Sequence, residues 1–198
     1  MNYKDYQNAR DAAWRILLDC RIDRLPVDLN VICKALGIRV FRYVSVQGLP
    51  DSAYQTDGMT FFSSGVPVIL YDESKSPERI RFTVAHELGH LVLRHVAPGQ
   101  QTITNREPSP TDSPIETAAN QFAARLLAPA CVLWGLYIHT PEEISELCHI
   151  SKQAAEFRAA RMETLYQRGK FLLSPLEQRV YEQFRLFIQE YRPRHSEG

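Results

Sequence analysis

The chain reads as an α+β protein, with a small antiparallel sheet in its first half and an all-helical remainder. Three observations predict this. The β-rich runs IRVFRYV, MTFF and VPVILY all fall before residue 72. From Ser76 onward, a Ser or Thr followed by Pro and an early acid recurs at Ser76, Ser113, Thr140 and Ser174, which is the chemistry of helix starts. No repeat or low-complexity tract competes with that division.

Taken in order, Tyr6, Ala9, Ala13, Ile16 and Leu17 stand at helical spacing and predict a first amphipathic helix over 3–19. In LPVDLNVICKALG, Pro26 opens a short helix and Gly37 closes it. IRVFRYV is the first strand. Gly48, Pro50 and Gly58 mark 46–58 as loop. MTFF and VPVILY flank Ser63, Ser64 and Gly65 and predict a hairpin. A helix runs from about Pro77 to Arg94. Residues 97–114 carry four prolines (Pro98, Pro108, Pro110, Pro114) and little apolar content, so they read as a long loop. Ser113-Pro114-Ile115-Glu116 then launches an alanine-rich helix that ends at Pro129. Helices follow after Thr140 and over KQAAEFRAARMETLY. A last one carries Leu176, Val180, Phe184, Ile188 and Tyr191 as its apolar stripe.

Bulk properties exclude several functions. The 198 residues suit one domain, or one with a small appendage, and 44% hydrophobic content supports a sizeable core. Lys+Arg and Asp+Glu balance at 23 each, which disfavours nonspecific binding to nucleic acid or anionic membranes. No apolar run approaches the ~18–20 residues of a membrane span. The polar start MNYKDYQNARD shows no secretory signal. Cys20, Cys33, Cys131 and Cys148 form no CxxC pair. Reduced, mostly buried thiols and a cytoplasmic location are therefore expected.

The chemistry concentrates in VAHELGHLV, residues 84–92. On a helix, His86 and His90 lie one turn apart on one face and can direct imidazole nitrogens at one ion. Glu87 is rotated ~100° from His86, so it suits the task of general base towards a water on the metal rather than that of ligand. Ala85, Leu88, Leu91 and Val92 make this a core segment, where two unpartnered imidazoles and a carboxylate would be costly. Gly89 costs a helix ~1 kcal/mol relative to Ala, which predicts close approach by other backbone. A catalytic zinc site needs a third protein ligand. The HExxHxxGxxH pattern fails, because Leu93 and Val96 stand where its Gly and His belong. His95 reads as a helix C-terminal residue favoured by the dipole. Glu116, which shares a helix face with Asn120, is the better third ligand. Ser113-x-x-Glu116 is equally a capping box, and spacing alone does not choose between the two roles.

AHELGHLVL and, 30 residues after its first histidine, ETAANQFAARLLAP together resemble the ImmA/IrrE family of bacterial and phage metallopeptidases. Glu116, Ala119, Asn120, Phe122, Ala123, Leu126, Leu127 and Pro129 match its second motif in register. LPVDLNVICKALGIRV and VPVILYDES resemble the lead-in elements, so the likeness covers roughly 22–165. Ala118 and Ala128 depart from the usual acid and Met, at positions that need carry no chemistry. The resemblance implies a zincin-like, gluzincin-type fold and a zinc site of His86, His90 and Glu116, with Glu87 as general base. It also implies a helix-turn-helix transcriptional repressor as substrate, in the control of a mobile element or a stress response. Zinc is the expected ion, although two imidazoles and a carboxylate also suit manganese or iron. Tyr137, His139 and His149 are candidates for stabilising the oxyanion. The alternative function is a noncatalytic repressor- or DNA-binding regulator with a structural zinc site.

PEEISELCHISKQAAEFRAARM resembles a helix-turn-helix. Lys152, Arg158 and Arg161 against Glu156 make its second helix only modestly basic, and the three glutamates of its first helix would repel phosphate. A helical hairpin that packs the body or docks a partner is expected, with DNA contact over 152–162 as the lesser reading. The predicted organisation is a metallopeptidase core over 1–138, the hairpin over 139–170 and a helical extension over 171–198.

Overall fold

The structure is a computed structural model that describes residues 3–49, 51–97, 101–102 and 113–195. The chain forms two compact units, each discontinuous. One runs to Ala12 and from Leu29 to Ala123; the other takes Ala13–Asp28 and everything from Ala124. This partition cuts across the sequential three-part organisation read from the sequence, because the long first and fourth helices each contribute to both units.

The first unit holds the sheet. Its strands are β1 (Arg39–Arg42), β2 (Gly58–Ser63), β3 (Val66–Tyr71) and β4 (Gln101–Thr102), in spatial order β1-β3-β2-β4. The α+β class stands, but the antiparallel sheet is corrected to a mixed one. β2 and β3 form the expected antiparallel hairpin, from Gly58↔Tyr71 to Ser63↔Val66. β1, however, pairs parallel with β3, Arg39 opposite Val68. Strand directions alternate from β1 to β3; β1 takes the free edge of β3 rather than of β2, so its neighbour runs the same way. Ser64 (φ +49°) and Gly65 (φ +79°) are both left-handed, as a two-residue hairpin turn of type I′ requires. β4 pairs with β2 at Thr60↔Thr102, inside the stretch predicted as loop; most of that prediction lies outside the described residues.

Both faces of the hairpin are covered, which explains the unbroken burial of Val68, Ile69 and Leu70. Met59, Val68 and Leu70 pack with Tyr43 and Ala53 on one face. Thr60 and its partner Ile69 lie on the other, beneath the helix of the histidine motif. Helices α1 (Tyr3–Asp19), α2 (Leu29–Ala35), α3 (Pro77–Val92) and α4 (Pro114–Leu127) fall close to their predicted spans.

The second unit is helical. An unpredicted short helix, α5 (Ala130–Leu136), restarts directly after Pro129. The single last helix expected from the apolar stripe is two, α8 (Pro175–Gln183) and α9 (Arg185–His195), interrupted at Phe184. Gly135 lets α5 lie against Tyr181 and Ile188 of this pair, since a Cβ there would collide with both. The Gln183 side-chain amide donates to the carbonyls of Leu17 (2.8 Å) and Ile22 (2.6 Å). The helix-turn-helix-like segment forms α6 (Pro141–Cys148) and α7 (Lys152–Gln167). α6 starts with a complete Thr140–Glu143 capping box, and His149 turns the chain at φ +52°. Arg158, counted above among the bases of the second helix, is buried at 7% exposure and is not presented on its surface. No described helix is long and apolar enough to cross a membrane. Cys33, Cys131 and Cys148 are buried and Cys20 is half-buried.

Candidate metal centre

α3 starts where its cap dictates. The Ser76 hydroxyl accepts from the Arg79 N–H at 3.3 Å, with Pro77 and Glu78 in the first turn. Every residue from Thr83 to His90 is buried: β2, β3 and α2 pack against α3, and α4 meets it at Gly89. The crossing with α4 occurs at Gly89. A Cβ there would stand 3.0 Å from Phe122 Cδ1 and 3.3 Å from both Cα and the carbonyl oxygen of Ala119. The close backbone approach predicted for Gly89 is therefore present, and it brings the first turn of α4 beside the two histidines.

His86 Nε2 and His90 Nε2 face each other at 3.0 Å, and both face Glu116, at 3.1 Å and 3.4 Å. Both imidazoles are fully buried, and the Glu116 side chain is 26% exposed. The Ser113 hydroxyl accepts from the Glu116 N–H at 3.3 Å, but the Glu116 carboxylate turns to the histidines. That half of the capping box is therefore built, while the carboxylate, which spacing left open to either role, faces the histidines.

The donor set fits a metal ion. Two ligand atoms at bonds of ~2.0–2.1 Å and a tetrahedral angle sit about 3.3 Å apart. Here the two Nε2 atoms stand 3.0 Å apart, and each meets one oxygen of the Glu116 carboxylate, His86 at 3.1 Å from Oε2 and His90 at 3.4 Å from Oε1. Three lone-pair-bearing atoms converging in a buried space call for a cation or for added protons. The distal nitrogens are held as metal-ligating histidines require: His86 Nδ1 lies 2.8 Å from Asn120 Oδ1, and His90 Nδ1 lies 3.2 Å from His95 Nδ1. Burial pushes the Glu116 carboxyl up, but hydrogen bonds from His86 and His90 outweigh it and hold the group well below the usual carboxylate range.

Glu87 stays out of this donor set. It is 1% exposed, and its Oε2 accepts from the Thr60 hydroxyl at 2.8 Å, across 27 residues of chain. A glycine at 58 leaves room beneath it, since a Cβ there would meet Thr83 Cγ2, Leu70 O at 3.0 Å and Glu87 Cγ at 3.4 Å.

Sequence reasoning missed Thr60, which only the register of β2 places under Glu87. It also misassigned His95. α3 ends at Val92, Arg94 turns left-handed (φ +59°), and the His95 N–H bonds the His90 carbonyl at 2.8 Å. The ring therefore folds back on His90. Burial, then the neighbouring charge of His90, lowers His95 to about 4. A neutral ring draws nothing from the helix dipole, so the dipole account is replaced by this contact. Asn120 was legible as a residue on the face of Glu116. Tyr137, His139 and His149 all lie in the second unit.

The model of one family, the IrrE N-terminal-like domain of the M78 peptidases, matches residues 33–160, well over half of the chain. That interval contains both histidines, Glu87, Glu116, α6 and the first part of α7. No curated protein matches the sequence.

Proposed function

Because the chain belongs to the IrrE N-terminal-like family of M78 peptidases, we propose that it is a zinc-dependent endopeptidase. His86, His90 and Glu116 hold the ion and Glu87 is the general base. The observation that carries this reading is the convergence of His86 Nε2, His90 Nε2 and the Glu116 carboxylate within 4.8 Å of one another. The carboxylate of Glu87, the residue following the first ligand, is held outside that set.

A zinc ion bound there supplies Lewis acidity, which makes water more acidic and polarises a peptide carbonyl. Glu87 takes the proton of the attacking water and returns it to the leaving amine. Base catalysis of this kind contributes roughly 10²–10⁴-fold. Thr60 fixes one carboxylate oxygen of Glu87 by its hydrogen bond and so orients the base. Asn120 accepts from His86 Nδ1–H and so keeps the Nε2 lone pair turned to the ion.

The substrate in this reading is a helix-turn-helix transcriptional repressor, cleaved in the cytoplasm to switch a mobile element or a stress response. Its support is the paired-motif resemblance. The DNA-binding alternative over 152–162 is weaker. Arg158 is buried, Glu156 and Glu163 are exposed on α7, and exposed Lys152 pairs with Glu142 at 3.6 Å.

The test combines metal analysis with incubation against a repressor encoded beside the protein, using wild type, Glu87→Gln and His90→Ala. Glu87→Gln should retain metal and lose cleavage, and His90→Ala should lose both. Undiminished cleavage by Glu87→Gln would sink the mechanism, and an intact repressor after incubation with metal-loaded wild type would sink the substrate assignment.

A further inference from the structure

We infer that His95 is a positioning residue for the metal centre: its Nδ1 accepts the hydrogen bond of His90 Nδ1–H and so holds the His90 Nε2 lone pair on the ion. The inference rests on the reading of His90 as a ligand and goes beyond it. Two ring nitrogens 3.2 Å apart form a hydrogen bond only when one carries the proton and the other does not. Binding through Nε2 takes that lone pair and leaves the proton of His90 on Nδ1. His95 Nδ1 must then be the acceptor, which places the His95 proton on Nε2.

The arrangement is built in from two sides. The His95 N–H is tied to the His90 carbonyl at 2.8 Å, and left-handed Arg94 makes the return of the chain. The rings of His90 and His95 meet edge to face, with centroids 5.1 Å apart. On its other side His95 lines a cavity of about 320 Å³ together with Asn8, Leu93, Pro114, Ile115 and Ala118. With His86 held by Asn120, each imidazole ligand has its own acceptor. The one for His90 comes from beyond the end of its own helix.

The largely apolar cavity lining sets the choice of variants. Leu at 95 keeps bulk, removes the acceptor of His90 Nδ1–H and brings no polar atom of its own; Gln keeps an acceptor of similar reach. Either leaves the backbone bond to His90 in place. The full-length protein is stripped of metal, and Zn2+ affinity is measured by competition with a chromophoric chelator. His95→Leu should weaken Zn2+ binding by roughly 10–100-fold, the scale of loss when a metal ligand loses its outer hydrogen bond. His95→Gln should recover most of that loss. Long-range 1H–15N spectra of Zn2+-loaded wild type should show His90 bound through Nε2 and His95 with its proton on Nε2. Unfolding of the metal-free proteins separates the role from mere packing, since only packing loss lowers the stability of both variants alike. Wild-type affinity in His95→Leu, a His95→Gln no better than His95→Leu, or His95 protonated on Nδ1 in the loaded protein overturns the inference. A wild type that holds no Zn2+ refutes the metal centre itself, and this role with it.

Discussion

Gly89→Ala tests whether the metal centre depends on the approach of α3 and α4. Two terms oppose each other. Alanine in a helix interior gains ~1 kcal/mol over glycine. Against that, the new methyl would stand 3.0 Å from Phe122 Cδ1 and 3.3 Å from Cα and O of Ala119, where carbon atoms ordinarily rest ~3.5–4.0 Å apart. Phe122 is fully buried and the Ala119 atoms are backbone, so neither neighbour can simply swing aside. Overpacking of this kind costs about 1–3 kcal/mol. The net expectation is a loss of about 0–2 kcal/mol, and each kcal/mol lowers the melting temperature of a domain this size by roughly 2–4 °C.

The second consequence is at the metal. Relieving the overlap requires the helices to part by about 0.5 Å near Ala119. Glu116 lies one turn earlier on α4, and a metal site tolerates only about ±0.2 Å in its ligand distances. Zn2+ affinity should therefore fall about tenfold or more, comparable to losses seen when ligand orientation is disturbed. Thermal unfolding of the metal-free protein and chelator competition read the two effects separately. A variant stabilised by the whole ~1 kcal/mol of helix propensity, with wild-type Zn2+ affinity, would refute the reasoning.

Two predictions concern the second unit. His149 turns the α6–α7 hairpin at φ +52° with an exposed side chain. His149→Gly relieves ~1–2 kcal/mol of left-handed strain and gives back ~0.5–1 kcal/mol in unfolded-state freedom. A gain of about 0.5–1 kcal/mol in urea unfolding is expected, and a less stable variant would contradict the turn geometry. Burial pushes the Glu143 carboxyl up, but hydrogen bonds from the Thr140 N–H and hydroxyl and the His139 N–H outweigh it, leaving the folded group below its ordinary 4.5. Since the folded carboxyl titrates lower than the unfolded one, its contribution is complete above pH 4.5 and is lost as pH falls through the folded value. Carboxyl NMR should place the Glu143 midpoint below 4.5, and Thr140→Ala should move it part of the way back; a wild-type midpoint at or above 4.5 would contradict the capping box.

What the sequence determined by itself is local. The i, i+4 spacing of His86 and His90 becomes a shared face as soon as the segment is helical, and Ser76, Thr140 and Ser174 cap their helices through bonds three residues away. Ser64-Gly65 could be read as a hairpin because turn chemistry resides in the turn residues themselves. Gly89 announced a close contact because a glycine inside a helix needs a reason.

The identity of that contact was decided by tertiary structure, and so was everything that depends on which elements meet. The packing of α4 on Gly89 turns the Glu116 carboxylate from the helix cap to the histidines. The register of β2 sets Thr60 under Glu87. β1 lies parallel because the free edge of β3 receives it. Burial withdraws Arg158 from a helix that reads as modestly basic in one dimension. His95, only five residues from His90, belongs to the same class, because its ring returns to His90 through the left-handed Arg94 rather than by helical continuation. Spacing along one helix is fixed by covalent geometry and hydrogen bonding to near neighbours. Contacts between elements follow from how buried surfaces fit, and no periodicity in the chain records that fit.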